Sequence, residues 1–542
     1  MGSAFASWVI MGALPRGSEP ESWDDRRPLT RPRRAQSRRK KGSLGSTGNE
    51  SSRDSLAGAG WSCRDAGTFT GDVPPGRRPF SWLNPGPLFK ARNDLVARRL
   101  GDPTNDERRR WLAARRASTP SPALTVTRHE GLTAPSFLVL GDPGEGDASQ
   151  YAVVPLLIQN SDTDFLIICS DVVYPSGDAA DYDEKLNRPY RSYPNPIYAV
   201  PGNHDWYDGL NGFMAHFCGV DGRTRRPPAD GSGGRMQRVL RRLLWRDVVA
   251  QPRVDRPFPQ PGPYFSLDAG PLVLVGIDTG ITGEIDRDQG EWLRTTSRAS
   301  NKPKILLTGK PLYVDGRRDP GLIEDGGTVD DVVTTPENNY IAAIGGDVHN
   351  YQRYTVRVAN GRTIQYIVTG GGGGYLHGTH KIPRVDLPGV DENDFRCYPR
   401  RGDSISIFSR NLDRQFCFGR GWLQIPADQA AALIGERLGI VPTRSGDRDA
   451  TITWRSRLAF SIVYPQKERF GGLLHENYAN FLDWNDPPLF KSFLRIDATE
   501  HEIRIRCFGA TGCLEAEKDP PVEDDLVGAR ARAGAWRWAP TP

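Results

Sequence analysis

FLVLGDPG (residues 137–144), FLIICSDVVY (165–174) and IYAVPGNHD (197–205) share one pattern: a short apolar run followed directly by polar donors. Each run is bounded and apolar throughout, as expected of a strand covered on both faces in a parallel sheet. In open α/β sheets, ligand-binding groups gather beyond the carboxyl ends of the strands. The three blocks therefore bring Asp142, Asp171, Tyr174, Asn203 and His204 to one edge of an α/β fold. Two carboxylates, a phenol, an amide oxygen and an imidazole form a hard-to-borderline donor set, suited to iron, manganese or zinc.

The pattern repeats downstream. Ile305–Leu307 leads into Thr308-Gly309-Lys310-Pro311, Ile341–Ile344 delivers Gly345 to Tyr351 with Asp347 and His349, and Ile364–Val368 runs into Gly370–Gly374. That glycine run lacks the GK[ST] ending of a phosphate-binding loop, so it reads as a tight turn. Tyr264–Leu267 and Leu272–Ile277 complete the strand set, and Asp147 offers an N-cap to a helix carrying Pro155. Trp206 to Gly209 form a loop over the expected site, while His377 and His380 read as idle loop histidines.

Residues 1–80 are rich in Gly, Ser, Pro and Arg and read as a disordered arm, with a basic run from Arg26 to Lys41. Such a run is read as solvated, in preference to a contact with nucleic acid or an anionic membrane. Residues 81–134 carry helical periodicity, broken at Asp102-Pro103, and are expected to dock on the core. Residues 135–390 form the core, 391–520 a β-rich completion of it, and 521–542 a frayed tail. Within 391–520, strands are expected at Ile405–Phe408, Phe460–Tyr464, Phe493–Ile496 and Ile503–Arg506, with a helix over Asp428–Leu438. Gly222–Gly234 reads as a linker, followed by a basic amphipathic helix from Met236 to Trp245.

The net charge of +5 says little about substrate. Seven scattered cysteines without a CxxC pair argue against a disulfide framework or a cysteine zinc site, leaving room for one bridge such as Cys507 with Cys513. No apolar run is long enough to span a bilayer, and Ala4–Leu14 lacks the flanks of a signal peptide. A cytoplasmic location is expected.

The order GD-x-G, D-x-x-Y, GNHD, a further strand-borne block, then G-x-x-H resembles the calcineurin-like metallophosphoesterase superfamily over roughly residues 135–375. The purple acid phosphatase motif pattern is nearest, because Gly144 stands where a histidine is common and Tyr174 follows the second aspartate. The resemblance implies two packed mixed β-sheets flanked by helices, an αββα sandwich, with two metals at the strand ends. By position, Asp142, Asp171, Tyr174 and His349 would hold one metal. Asp171 would bridge to a second that Asn203 also binds, His204 would assist the leaving group, and Asp205 would orient that imidazole.

Three positions depart from the family pattern. Ser170 replaces a glycine, Lys310 stands where a histidine ligand of the second metal is usual, and Asp347 replaces the first histidine of G-H-x-H. An aspartate still binds a hard cation, whereas a protonated lysine does not. The expectation is one intact metal site, a second that is weak or altered, and Lys310 meeting phosphate as a point charge. The function this implies is metal-dependent hydrolysis of phosphoesters, with a catalytically weakened binding or regulatory protein as the alternative.

Overall fold

The computed structural model describes residues 85–118, 124–224, 235–252, 259–358, 361–442, 445–465, 488–511, 522–530 and 536–540. The expected arm over 1–80, most of the 222–234 linker and Cys513 lie outside these residues.

The three opening runs form parallel strands, Ser136–Gly141, Phe165–Cys169 and Ile197–Val200, with Gly141 level with Cys169 and Cys169 level with Val200. They make one side of a seven-stranded mixed sheet whose other strands come from the C-terminal end of the chain. In the eight-stranded sheet, Val273–Ile277, Lys304–Thr308, Tyr340–Gly345 and Thr363–Thr369 run parallel in adjacent places. Alternation along the strands explains the sandwich. Val139 and Ile167 enter the layer shared with Leu274, Ile305 and Leu307 of the other sheet. Leu138, Leu140, Leu166 and Ile168 turn outward onto helical residues such as Val153, Leu157 and Phe213. Val275 and Leu306 do the same on the far side against Leu293 and Val333. The expected two packed mixed sheets flanked by helices are present.

Helices Arg92–Leu100 and Thr104–Ser118 lie before the first long strand, with the break at Asp102-Pro103. Trp111 is wholly buried and donates from Nε1 to the Gly209 carbonyl at 3.0 Å. Arg108 enters the core beside it, paired with Asp278 at 2.8 Å and Asp286 at 2.7 Å, all three buried. Trp206 donates to the same Asp278 at 3.0 Å, so these contacts fix the loop that follows Asn203 and His204.

Two expectations for the C-terminal third are corrected. Ile405–Phe408 lies within helix Arg401–Phe416, and Phe460–Val463 within helix Trp454–Val463. Short, largely apolar runs such as these do not distinguish a strand from a buried helix segment. Thr453 caps the second helix by accepting from Ser456 N, a start signal outside the run itself. The expected frayed tail contains two strands, Val522–Arg530 and Trp536–Pro540, which extend the seven-stranded sheet. Its acidic sequence disguised the alternation: Asp524 faces inward, paired with Arg353 at 2.5 Å and with the Tyr351 hydroxyl at 2.7 Å. The expected hairpin forms between Lys491–Ala498 and Glu502–Ala510, and the expected helix spans Ala427–Leu438.

Candidate metal centre

The strand ends of both sheets meet at one rim. Asp142 and Asp171 follow strands of the seven-stranded sheet, and Lys310, Asp347 and His349 follow strands of the other. The backbone turns sharply there: Asp142, Ser170, Asp171 and Asp347 all have positive φ, at 53°, 76°, 35° and 66°. For residues with a Cβ this region is costly, and such strain persists only where surrounding structure enforces it. Two glycines allow close approach. A Cβ on Gly202 would lie 2.2 Å from Asp171 Oδ1, and one on Gly374 would lie 2.7 Å from the His349 ring.

Donor atoms of Asp142, Asp171 and His349 all lie within 4.8 Å of one another, and all three residues are buried. The Tyr174 hydroxyl sits among them, 3.0 Å from Asp171 Oδ2, 3.4 Å from Asp142 Oδ1 and 2.8 Å from His349 Nε2. His349 Nδ1 lies 2.7 Å from the Tyr375 carbonyl, which assigns the proton to Nδ1 and leaves the Nε2 lone pair toward the carboxylates. Asp142 Oδ2 and Asn203 Oδ1 are buried without a hydrogen bond from the protein. Asn203 directs its amide nitrogen to Tyr207 Oη at 2.7 Å.

The electrostatics fit the geometry. Burial, followed by the charges of Asp171 and Asp347, pushes the Asp142 carboxyl well above its usual range. Burial also raises Asp171 and Tyr174. Burial and then Lys491 hold the His349 imidazole down to about 3, so it is neutral. A crowded pair of carboxylates beside a neutral imidazole is a donor set that fits a cation.

His204 is placed by its backbone N–H, which donates to Asp171 Oδ1 at 2.8 Å. Its Nδ1 lies 2.9 Å from the Pro175 carbonyl, and its Nε2 lies 3.9 Å from Asp171 Oδ2. The expected role of Asp205 is therefore corrected. Its carboxylate accepts from Val172 N at 3.1 Å and Gly202 N at 2.9 Å, tying the two ligand loops together, while Pro175 holds the imidazole.

Lys310 and Asp347 form an ion pair, Nζ to Oδ1 at 2.9 Å, with side chains 21% and 28% exposed. Burial lowers the Lys310 pKa and Asp347 raises it, with Asp347 prevailing; Asp347 itself ends below the usual carboxylate range because Lys310 outweighs burial.

Sequence reasoning set aside His377, yet its ring stacks on His349 at 4.5 Å and its Nδ1 accepts from His349 N at 3.0 Å. Its place two residues beyond Tyr375 gave no pattern that linked it to the centre. His380 is buried against Ser404 and serves the fold. Trp206 and Tyr207 are buried beside the site.

Residues 135–351 match the family model described as calcineurin-like phosphoesterase, a span containing every site residue expected above. Over those residues the chain is similar to the calcineurin-like phosphoesterases. Among solved structures, the chain is similar to a purple acid phosphatase from yellow lupin seeds, at 12% identity over 75% of this chain, with a TM-score of 0.37. The match covers 55% of the lupin chain. It is also similar to PhoD, at 10% identity over 76% of this chain and 72% of that one, with a TM-score of 0.36. Phosphopantetheinyl hydrolase from Mycobacterium tuberculosis is similar at 14% identity over 44% of this chain and 90% of that one, with a TM-score of 0.21. No curated protein matches the chain.

Proposed function

We propose that this protein hydrolyses phosphoesters in a metal-dependent reaction at the rim formed by Asp142, Asp171, Tyr174, Asn203 and His349. The observation that carries this reading is the convergence of three buried donors within 4.8 Å, with Asp142 Oδ2 and Asn203 Oδ1 lacking protein partners. Buried oxygens left without hydrogen bonds are costly, and a cation is the partner that this donor set fits. Asp142, Asp171, Tyr174 and His349 would hold an iron, manganese or zinc ion, with Asp171 and Asn203 facing the second, altered position. When bound, such an ion neutralises phosphoryl oxygens and lowers the pKa of water toward neutrality.

The chain's own residues supply the rest. The Pro175 carbonyl keeps a proton on His204 Nδ1, so Nε2 is the end that, when protonated, passes a proton to the departing alkoxide. Lys310 brings a fixed positive charge to the rim and meets a phosphoryl oxygen directly. Asp347 serves that ion pair. Asp205 holds the turns carrying Asp171 and His204 in register. Hydrolysis of an aryl phosphate with and without added Mn²⁺, with Asp171→Ala as control, tests the reading. Metal-dependent turnover that the substitution abolishes is expected; turnover indifferent to both metal and Asp171 overturns it.

The Lys310–Asp347 pair favours a second reading, a binding or regulatory protein that holds one ion and turns over poorly. Tight retention of inorganic phosphate without hydrolysis under any of the three metals would select it.

A further inference from the structure

The helix Arg235–Leu244 (RMQRVLRRLL) presents its apolar stripe to solvent. Met236, Val239, Leu240, Leu243 and Leu244 recur at helical spacing and are 77%, 53%, 43%, 75% and 48% exposed. A surface helix ordinarily turns such a stripe inward. Here polar contacts hold the helix and its C-terminal end. Arg241 donates to the Gly101 carbonyl at 3.4 Å, Arg92 Nε to the Leu244 carbonyl at 3.0 Å, and the following Arg246 N to Asn93 Oδ1 at 2.7 Å. The patch continues beyond the helix. The Arg92 guanidinium lies 4.5 Å from the ring of Phe89, itself 68% exposed, and Val249 is 55% exposed.

The helix contains four arginines and no acidic residue, and Arg242 is exposed. We propose that this helix is an interfacial anchor that docks the protein on an anionic lipid surface, with the leucines entering the headgroup boundary and Arg242 meeting lipid phosphate. Charge complementarity selects this occupant. A nucleic acid would engage the arginines and leave the apolar stripe wet. A second copy related by a twofold axis would bury the stripe but bring together two helices that carry four arginines each and no acidic residue. A bilayer carrying anionic lipid satisfies both the stripe and the charge. The anchor adjoins the metal centre: Arg246 donates to the Tyr207 carbonyl at 3.3 Å, and Tyr207 Oη accepts from Asn203. The inference does not depend on hydrolysis.

Flotation of the full chain with phosphatidylcholine vesicles, with and without phosphatidylglycerol, tests it. Binding to the anionic vesicles only is expected. Leu243→Asp, at a solvent-facing position, should weaken it roughly tenfold, and Arg242→Glu should weaken it further. Failure of the wild-type chain to float overturns the proposal. So does equal flotation of Leu243→Asp, which would assign binding to the basic run Arg26–Lys41. Oligonucleotide binding in place of vesicle binding, or a dimer that Leu243→Asp dissociates, overturns it as well.

Discussion

Lys310 Nζ lies 2.9 Å from Asp347 Oδ1, joining two loops that leave neighbouring strands of the eight-stranded sheet. Both positions face the metal centre, and together they carry no net charge. On the proposed function Lys310 is shared between Asp347 and an incoming phosphoryl oxygen, and substitutions of the two partners should act in opposite directions. Lys310→Met removes a charged contact worth roughly 1.5–3 kcal/mol and should raise KM for an aryl phosphate about ten- to hundredfold. Asp347→Asn releases the ammonium and should lower KM. Steady-state kinetics on both variants checks the pair.

Asp205 is a stability residue on this account. Asparagine there offers an amide to backbone N–H groups that need acceptors, so Asp205→Asn should cost about 1–3 kcal/mol in urea unfolding. Because Pro175 holds the imidazole, the pH profile of hydrolysis should keep its shape.

Arg108 lies outside the family-matched span yet neutralises two buried carboxylates within it. Arg108→Ala leaves Asp278 and Asp286 uncompensated, and breaking a buried pair in this way costs roughly 3–5 kcal/mol. A chain begun at residue 135 should therefore fail to fold, as circular dichroism would show.

Asp178 provides an acid-sensitive contact. Burial favours its neutral form, but Arg246 at 2.5 Å and Lys90 at 3.1 Å outweigh burial and set its pKa below the ordinary value. Between the folded and unfolded values the unfolded chain binds the proton more readily. The contribution is therefore complete above the unfolded pKa of about 4 and is lost as pH falls through the folded value. Asp178→Asn should lower the urea midpoint at neutral pH and approach wild type as the pH falls through the folded value.

The strand-then-donor pattern at Asp142, Asp171, Asn203 and His349 was legible because each candidate donor follows a run buried on both faces. Long-range pairing was not. Nothing in the sequence near Phe137 announces that its outer neighbour is the strand Lys491–Ala498, more than 300 residues later. Asp205 was misassigned because adjacency to His204 in sequence says nothing about which carbonyl its ring meets. The helices Arg401–Phe416 and Trp454–Val463 were missed because start signals such as Thr453 lie outside the apolar runs. Departures from the family pattern proved informative. Ser170 occupies a φ of 76°, a conformation that suits glycine, and Lys310 and Asp347 turned out to be partners.

Metal analysis of the full chain purified without chelator, beside Asp171→Ala, addresses the central claim most directly. The account predicts one tightly held equivalent of iron, manganese or zinc per wild-type chain and none in the variant. A wild-type chain that holds no metal, or a variant that keeps the same equivalent, would contradict it.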